Sequence, residues 1–209
     1  SDAEAQGIRF MKKAKASSLA ELRARDALEI QRVSNDQDVG RFGTTLDGYV
    51  LPSDLLEHFS KGLHNQTPIL TGWVTGDGSF RGETAESVEA YERDAKAKYG
   101  DKADPFLRIF PASTPEEVLK ARQKLSLLDF AGVPSRLLAR FNSHKTYLYQ
   151  FGHIPPDKPN FPNYGAFHTS EVPYVLNTLH TWERPWRETD LLMAKRLSAY
   201  WVNFAKTGN

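Results

Sequence analysis

A histidine and an aspartate in glycine-marked loops carry the chemistry that this sequence suggests. His168 lies in the segment GAFHTSE, residues 165–171, and Asp77 lies between Gly76 and Gly78, five residues after Gly72. An imidazole can take the proton of a weak hydroxyl nucleophile, which activates that hydroxyl for attack. A buried carboxylate on the other ring nitrogen fixes the tautomer and stabilises the imidazolium. These residue types can therefore form an acid–base pair where a fold brings them together, whereas taken alone His168 indicates a structural or solvated histidine and Asp77 a turn aspartate.

Two apolar segments precede these loops and predict the strands that position them. Residues 67–74 form a short β-branched run bounded by proline and glycine, and residues 145–151 form a second run rich in aromatics. Asp77 follows the first run directly, and His168 follows the second run and a loop at 155–164 with four prolines. The carboxyl ends of parallel strands gather the sites of α/β sheets. We therefore expect neighbouring parallel strands with both side chains at the same end.

Helical patterns fill most of the remaining chain. They cover residues 2–34 (with a cap at Ser17 or Ser18), a short helix from Ser53 and Asp54 to before Gly62, and residues 84–99, 115–128, 135–141 and 190–206. The helices at 84–141 are expected to form the crossover between the strands and a partial cap. The fold class is therefore α/β. Because two parallel strands do not make a stable sheet alone, the chain is expected to be part of a larger domain.

Composition excludes several other classes of function. Of the 209 residues 25% are charged and 40% hydrophobic, and the net charge of +1 shows no basic excess that would indicate nucleic acid. There is no cysteine, which excludes disulfides and thiolate metal sites. No apolar run reaches the roughly 20 residues of a membrane span. The N-terminal residues contain no signal-peptide core, so the compartment stays open and would be secreted or periplasmic if a signal lay upstream.

Three segments in this order resemble the type-B carboxylesterases, the cholinesterase-like and para-nitrobenzyl esterase-like branch of the α/β-hydrolases. They are TPILTGWVTGDGS at 67–79, GAFHTSEVPYVL at 165–176 and YWVNFAKTGN at 200–209. The opening AEAQGIRF and SLAELRA are also similar to the helix after the family's nucleophile region. The resemblance extends over nearly all of residues 1–209. It implies the C-terminal part of a single α/β-hydrolase domain.

The resemblance also implies roles for individual residues. His168 matches the family's general base and Asp77 its triad acid, although most members have Asp-Glu-Gly where this chain has Gly76-Asp77-Gly78. Glu171 matches the glutamate of the histidine motif, which we interpret as a carboxylate that holds the loop. If Asp77 were misplaced, Glu83 and Glu171 would be the alternative acids.

The nucleophile is absent from these residues. The family's serine lies in a G-x-S-x-G turn, which does not occur here, since Arg81 stands where Ser79 would need a glycine. The resemblance places that serine and the oxyanion hole upstream. It implies hydrolysis of small-molecule carboxylic esters without metal or cofactor, and the N-terminal half of the same protein as a partner. The exposed sheet edge would favour self-association.

Two other interpretations remain open. Some proteins similar to this family serve adhesion or recognition, and a third reading is an independent helical domain with coincidental motifs. The remaining histidines are expected to be solvated or capping, and the four tryptophans and the apolar stripe of the last helix are expected to face the core. The stripe comprises Met193, Leu197, Tyr200, Trp201 and Phe204.

Overall fold

The computed structural model describes residues 2–78, 86–161 and 164–209. Several predicted features lie outside these ranges: Ser79, Arg81, Glu83, the first residues of the helix at 84–99, and Pro162 of the proline-rich loop. The chain divides into two compact units, residues 1–58 and residues 59–209.

The first unit begins with three helices where the pattern predicts a helical segment at 2–34. They are α1 (Asp2–Lys13), α2 (Leu19–Arg23) and α3 (Ala27–Ser34). The breaks are local, because Lys15 takes a left-handed φ of 52° and because Ser18 and Asp26 each cap a new helix. The expected cap at Ser18 is thus confirmed. Residues 35–50 form no helix or strand, and α4 (Leu55–Ser60) crosses the boundary between the units.

The second unit contains the predicted pair of strands. Strand β1 (Ile69–Val74) pairs in parallel with β2 (Thr146–Phe151), with Ile69 opposite Thr146 and Val74 opposite Phe151. The prediction of neighbouring parallel strands is confirmed, with β1 two residues shorter at its start than the apolar run.

Helices cover both faces of this pair. On one face the rings of Tyr147 and Tyr149 pack edge-on against Phe204 and Trp201 of the last helix, α10 (Glu188–Thr207). On the other face α8 (Val133–Phe141) contacts both strands, and its Ser135 accepts a hydrogen bond from Thr71 at 3.3 Å. The second face is covered only in part, because Leu148 and Gln150 of β2 remain exposed.

The crossover between the strands is helical, as expected. It comprises α5 (Val88–Tyr99), a 3₁₀ turn at Gly100–Lys102, α6 (Ala103–Ile109), α7 (Pro115–Leu127), a π-helical turn (Leu128–Gly132) and α8. Tyr91, Val118 and Ala121 form its buried centre. Neither α6 nor the π-helical turn was expected from the sequence, although Gly100 precedes α6 and Gly132 closes the π-helical turn.

The last part of the chain holds a short helix, α9 (Val172–Val175), a 3₁₀ turn at Leu179–Thr181, and α10. Gly208 ends α10 with a left-handed φ of 70°, as predicted. The expected core stripe is wrong for Tyr200, which is 70% exposed and lines an open pocket beside Leu197 and Trp201. Across the described ranges, no helix is long and apolar enough to cross a membrane.

Candidate functional site

Asp77 is fixed by the turn that ends β1. Its Oδ2 accepts a hydrogen bond from the Val74 amide at 2.9 Å, and its own amide donates to the Val74 carbonyl at 3.1 Å. Asp77 is 5% exposed, so its carboxylate is held by the backbone and largely removed from water. Gly78 follows with a φ of 83°, a conformation that glycine adopts without strain.

His168 meets that carboxylate directly. Its Nδ1 lies 2.7 Å from Oδ1 of Asp77, and about half of the His168 side chain is exposed. Because an ionised carboxylate only accepts hydrogen bonds, this contact requires the proton on Nδ1 and leaves the lone pair of the neutral ring on Nε2. The expected contact between the two side chains is therefore present, whereas Glu83 lies outside the described residues.

The backbones of the two loops are joined beyond the strands. The Gly76 amide donates to the Ala166 carbonyl at 2.8 Å, and Gly76 and Phe167 form an isolated parallel bridge. A Cβ on Gly76 would collide with the Ala166 carbonyl oxygen. Thr169, directly after His168, has a φ of 73°. This left-handed conformation is costly for a β-branched residue, and such strain is found at functional sites.

Glu171 lies behind the histidine loop, near the phenol of Tyr149. Burial of that phenol, then the nearby carboxylates of Glu171 and Asp77, raise the pKa of Tyr149 to about 12. The ring of Tyr149 lies where a Cβ of Gly72 would be, so only glycine at position 72 leaves room for it. One carboxylate oxygen of Glu171 is buried without a hydrogen-bond partner in the part of the chain that the structure describes.

A second buried carboxylate was not expected from the sequence. Asp190, which is fully buried, accepts hydrogen bonds from His153 at 2.6 Å, the Tyr174 hydroxyl at 2.8 Å and Arg187 at 2.8 Å. Burial opposes its ionisation, but the hydrogen bonds from Arg187 and His153 outweigh burial and hold the pKa of Asp190 well below its usual value. His153 is thus not a solvated histidine, since it joins the end of β2 to α10. Neither its spacing nor its neighbours in the sequence indicate this.

A cleft of about 490 Å³ opens beside the acid loop. Thr75, Asp77, Lys124, Ile154 and Tyr164 are among the residues that line it. It lies at the carboxyl ends of both strands, but His168 is not one of the residues that line it. Among the described residues, no group of three His, Asp or Glu side chains is placed to hold a metal ion.

Comparison with known proteins gives one consistent family. The model of the "Carboxylesterase family" matches residues 1–209. Fumonisin B1 esterase of Sphingopyxis macrogoltabida is 28% identical over 229 aligned positions, which cover 100% of this chain and 41% of that protein. Bile salt-activated lipase of Mus musculus is 36% identical over 80% of this chain and 32% of that protein. The chain thus spans less than half the length of these relatives.

Solved structures show the same fold. One PNB esterase superposes with a TM-score of 0.74 and 21% identity, over 100% of this chain and 45% of that chain. Aspergillus niger EstA superposes with a TM-score of 0.65 and 20% identity, over 99% of this chain and 46% of that chain. The neighbours are α/β-hydrolase carboxylesterases, so the helical chain with its small parallel sheet is consistent with part of that fold.

Proposed function

Because the chain belongs to the carboxylesterase family, we propose that it supplies the base, His168, and the acid, Asp77, of a Ser–His–Asp triad that hydrolyses carboxylic esters in the intact protein. The observation that carries the proposal is the 2.7 Å contact between Nδ1 of His168 and the buried carboxylate of Asp77. The serine would come from the part of the protein that precedes these residues in the longer relatives.

In the proposed reaction Nε2 of His168 acts first as a base and then as an acid, both when the acyl-enzyme forms and when water hydrolyses it. The serine hydroxyl attacks the ester carbonyl carbon while Nε2 takes its proton, and the imidazolium then gives that proton to the departing alcohol. The acyl-enzyme remains. Water attacks it with Nε2 again as base, and the proton returns to the serine as the carboxylic acid leaves. Asp77 stays ionised throughout and stabilises each imidazolium.

Glu171 is proposed to hold the histidine loop, not to carry protons. In support, its carboxylate approaches the Tyr149 phenol on the sheet, whereas the histidine nitrogen is already occupied by Asp77. A loop fixed in this way keeps the imidazole in position. Catalysis is sensitive to small displacements of such a group.

The substrate class is a small carboxylic ester. The relatives are named for an esterase and a lipase, and an acylcarnitine hydrolase of Rattus norvegicus is 35% identical over 59% of this chain. These names do not share one acid or alcohol, so the proposal extends to the ester bond alone. The mechanism calls for no metal or cofactor.

The test is an assay of para-nitrophenyl acetate with three proteins: this chain, the intact protein, and the intact protein with His168→Ala. We expect turnover from the intact protein only, because triad members act as a unit and His168→Ala should cost several orders of magnitude, roughly 10⁴-fold or more. His180→Ala, which removes another exposed histidine, is the matched control and should stay active.

Each other outcome has a definite meaning. Turnover by the chain alone would mean that the nucleophile has been misplaced. Full activity of His168→Ala would overturn the proposal. An inactive intact protein that has a serine in its G-x-S-x-G turn would favour the binding or adhesion module instead.

A further inference from the structure

The π-helical turn between α7 and α8 lies against the histidine of the candidate site. The turn comprises residues Leu128–Gly132, and it interrupts what would otherwise be one long helical run from Pro115 to Phe141. Such turns are rare, usually single, and frequent at functional sites because the extra residue redirects a side chain. The side chain in the middle of this turn is Phe130.

Phe130 packs edge-on against His168. The two ring centroids are 5.1 Å apart and the planes are at 89°. This distance and angle are those of a favourable aromatic contact. Asp77 holds the imidazole at Nδ1, on one edge of the ring. A ring packed against it restricts the movement of the imidazole.

The same helical run is attached to the acid loop. The hydroxyl of Ser126, a buried residue at the end of α7, donates to the Gly78 carbonyl at 3.1 Å. The backbone of Ser126 is so close that a Cβ on Gly78 would lie 2.6 Å from it. The acid loop and the histidine are therefore held from one short segment, residues 126–130.

We propose that Phe130 is a positioning residue for His168, placed by the π-helical turn so that the imidazole keeps its plane and Nε2 keeps its direction toward the serine. This rests on the proposed function. Phe130 transfers no proton. It acts through the imidazole ring that it packs against, while the hydrogen bond from Ser126 to Gly78 holds the turn beside the loop of Asp77.

The kinetic test uses the intact protein with Phe130→Ala and Phe130→Tyr. We expect Phe130→Ala to lower kcat about ten- to a hundredfold for both a short acetate and a long-chain ester, since a small misplacement of a catalytic group has that effect. KM should change little. Phe130→Tyr keeps a ring of the same shape and should stay within about threefold of the natural enzyme.

A second measurement uses the same intact protein. In its NMR spectrum the Nδ1 proton of His168, held by Asp77, should be visible at low field. Phe130→Ala should broaden that signal through faster exchange with water, and Phe130→Tyr should preserve it. Phe42→Ala is the matched control, because it removes an edge-on ring contact of the first unit, with Phe10 at 5.6 Å.

The outcomes separate this inference from the proposed function. If His168→Ala abolishes turnover while Phe130→Ala keeps kcat and a sharp Nδ1 proton signal, the positioning role is wrong and the triad stands. If Phe130→Ala raises KM for the long-chain ester alone, Phe130 only lines the pocket, which also overturns the role. If His168→Ala leaves turnover intact, the proposed function itself has failed.

Discussion

Each oxygen of the Asp77 carboxylate has a separate task. Oδ2 is held by the Val74 amide at 2.9 Å, and Oδ1 meets Nδ1 of His168 at 2.7 Å. The backbone bond fixes the carboxylate, and the carboxylate fixes the imidazole. The proposed triad needs the two loops close together, since aspartate is shorter than the glutamate usual in the family, and the bridge between Gly76 and Phe167 joins them.

Asp77→Asn should nearly abolish turnover of the intact protein without unfolding it. The amide keeps the shape of the side chain and can still accept the hydrogen bond from the Val74 amide. It carries no charge to stabilise an imidazolium, and its NH₂ group can donate to an unprotonated Nδ1, which favours the wrong tautomer of His168. A loss of about 10⁴-fold in kcat is expected, as in triads elsewhere. The measurement is kcat with para-nitrophenyl acetate alongside the thermal midpoint. A variant that keeps a tenth of the natural kcat would contradict the role of Asp77.

Gly76→Ala should separate the two loops. Its new methyl group would collide with the carbonyl oxygen of Ala166, so the hydrogen bond between them must lengthen. We expect kcat to fall about a hundredfold, because the acid and the base move apart. The control is Gly152→Ala, where the new Cβ meets only the Thr75 side chain at 3.4 Å, an ordinary contact. Equal kcat for the two variants would show that the bridge does not matter.

At the residue scale, the sequence indicated the proposed acid and base but not the residues that surround them. His168 and Asp77 could be found because short motifs mark them and because both follow strands. Phe130 could not be found, since it reaches His168 from 38 positions earlier through a π-helical turn that no residue pattern signals. Tyr149 was expected only as a strand residue, because its contact with Glu171 depends on the space left at Gly72.

Hydrogen bonds to the buried carboxylate of Asp190 connect the elements around the candidate site. Asp190 joins the N-terminal turn of α10 to Tyr174 in α9 and to His153 after β2. Helix α9 begins four residues after His168, so this anchor supports the histidine loop from behind. Element bounds followed from capping and apolar patterns, but this junction did not, since its members are distant in sequence and ordinary in type.

Asp190→Asn should destabilise the chain in a pH-dependent way. The folded-state pKa of Asp190 is depressed, so its contribution is fully present above the unfolded value of about 3.9 and is lost as pH falls toward the folded pKa. At pH 7 we expect a loss of about 1.5–3 kcal/mol in the free energy of unfolding, the range for hydrogen bonds to a charged group. The difference from the natural chain should narrow below about pH 4.

Urea unfolding from pH 7 down to pH 3 measures this dependence. Asp157→Asn is the control, because it removes an exposed aspartate from the proline-rich loop and should leave stability unchanged. A constant difference between the Asp190→Asn variant and the natural chain over the whole range would show that the ionised form of Asp190 contributes nothing.

Several large apolar side chains of the second unit are exposed to solvent. Leu191 and Leu192 on α10 are 55% and 47% exposed, and Leu148 of β2 is 47% exposed. Within the described residues the sheet has only two strands, so each strand has one unpaired edge. Open strand edges normally meet a partner, and the two leucines of α10 add exposed apolar side chains. We infer that the preceding part of the intact protein covers them.

The isolated chain should therefore self-associate, and the intact protein should not. Sedimentation velocity over a hundredfold range of concentration, roughly from 1 to 100 μM, would show the chain moving from monomer to larger species, since interfaces of modest size give affinities in this range.

Replacing Leu191 and Leu192 by lysine should weaken the association at least about tenfold, because each charged side chain would have to lose water on contact. Leu28→Lys, at an exposed leucine of the first unit, should have little effect. A chain that stays monomeric throughout would show that neither the sheet edge nor the face of α10 needs a partner. If the double variant associated as strongly as the natural chain, the strand edges would be responsible instead of the helix.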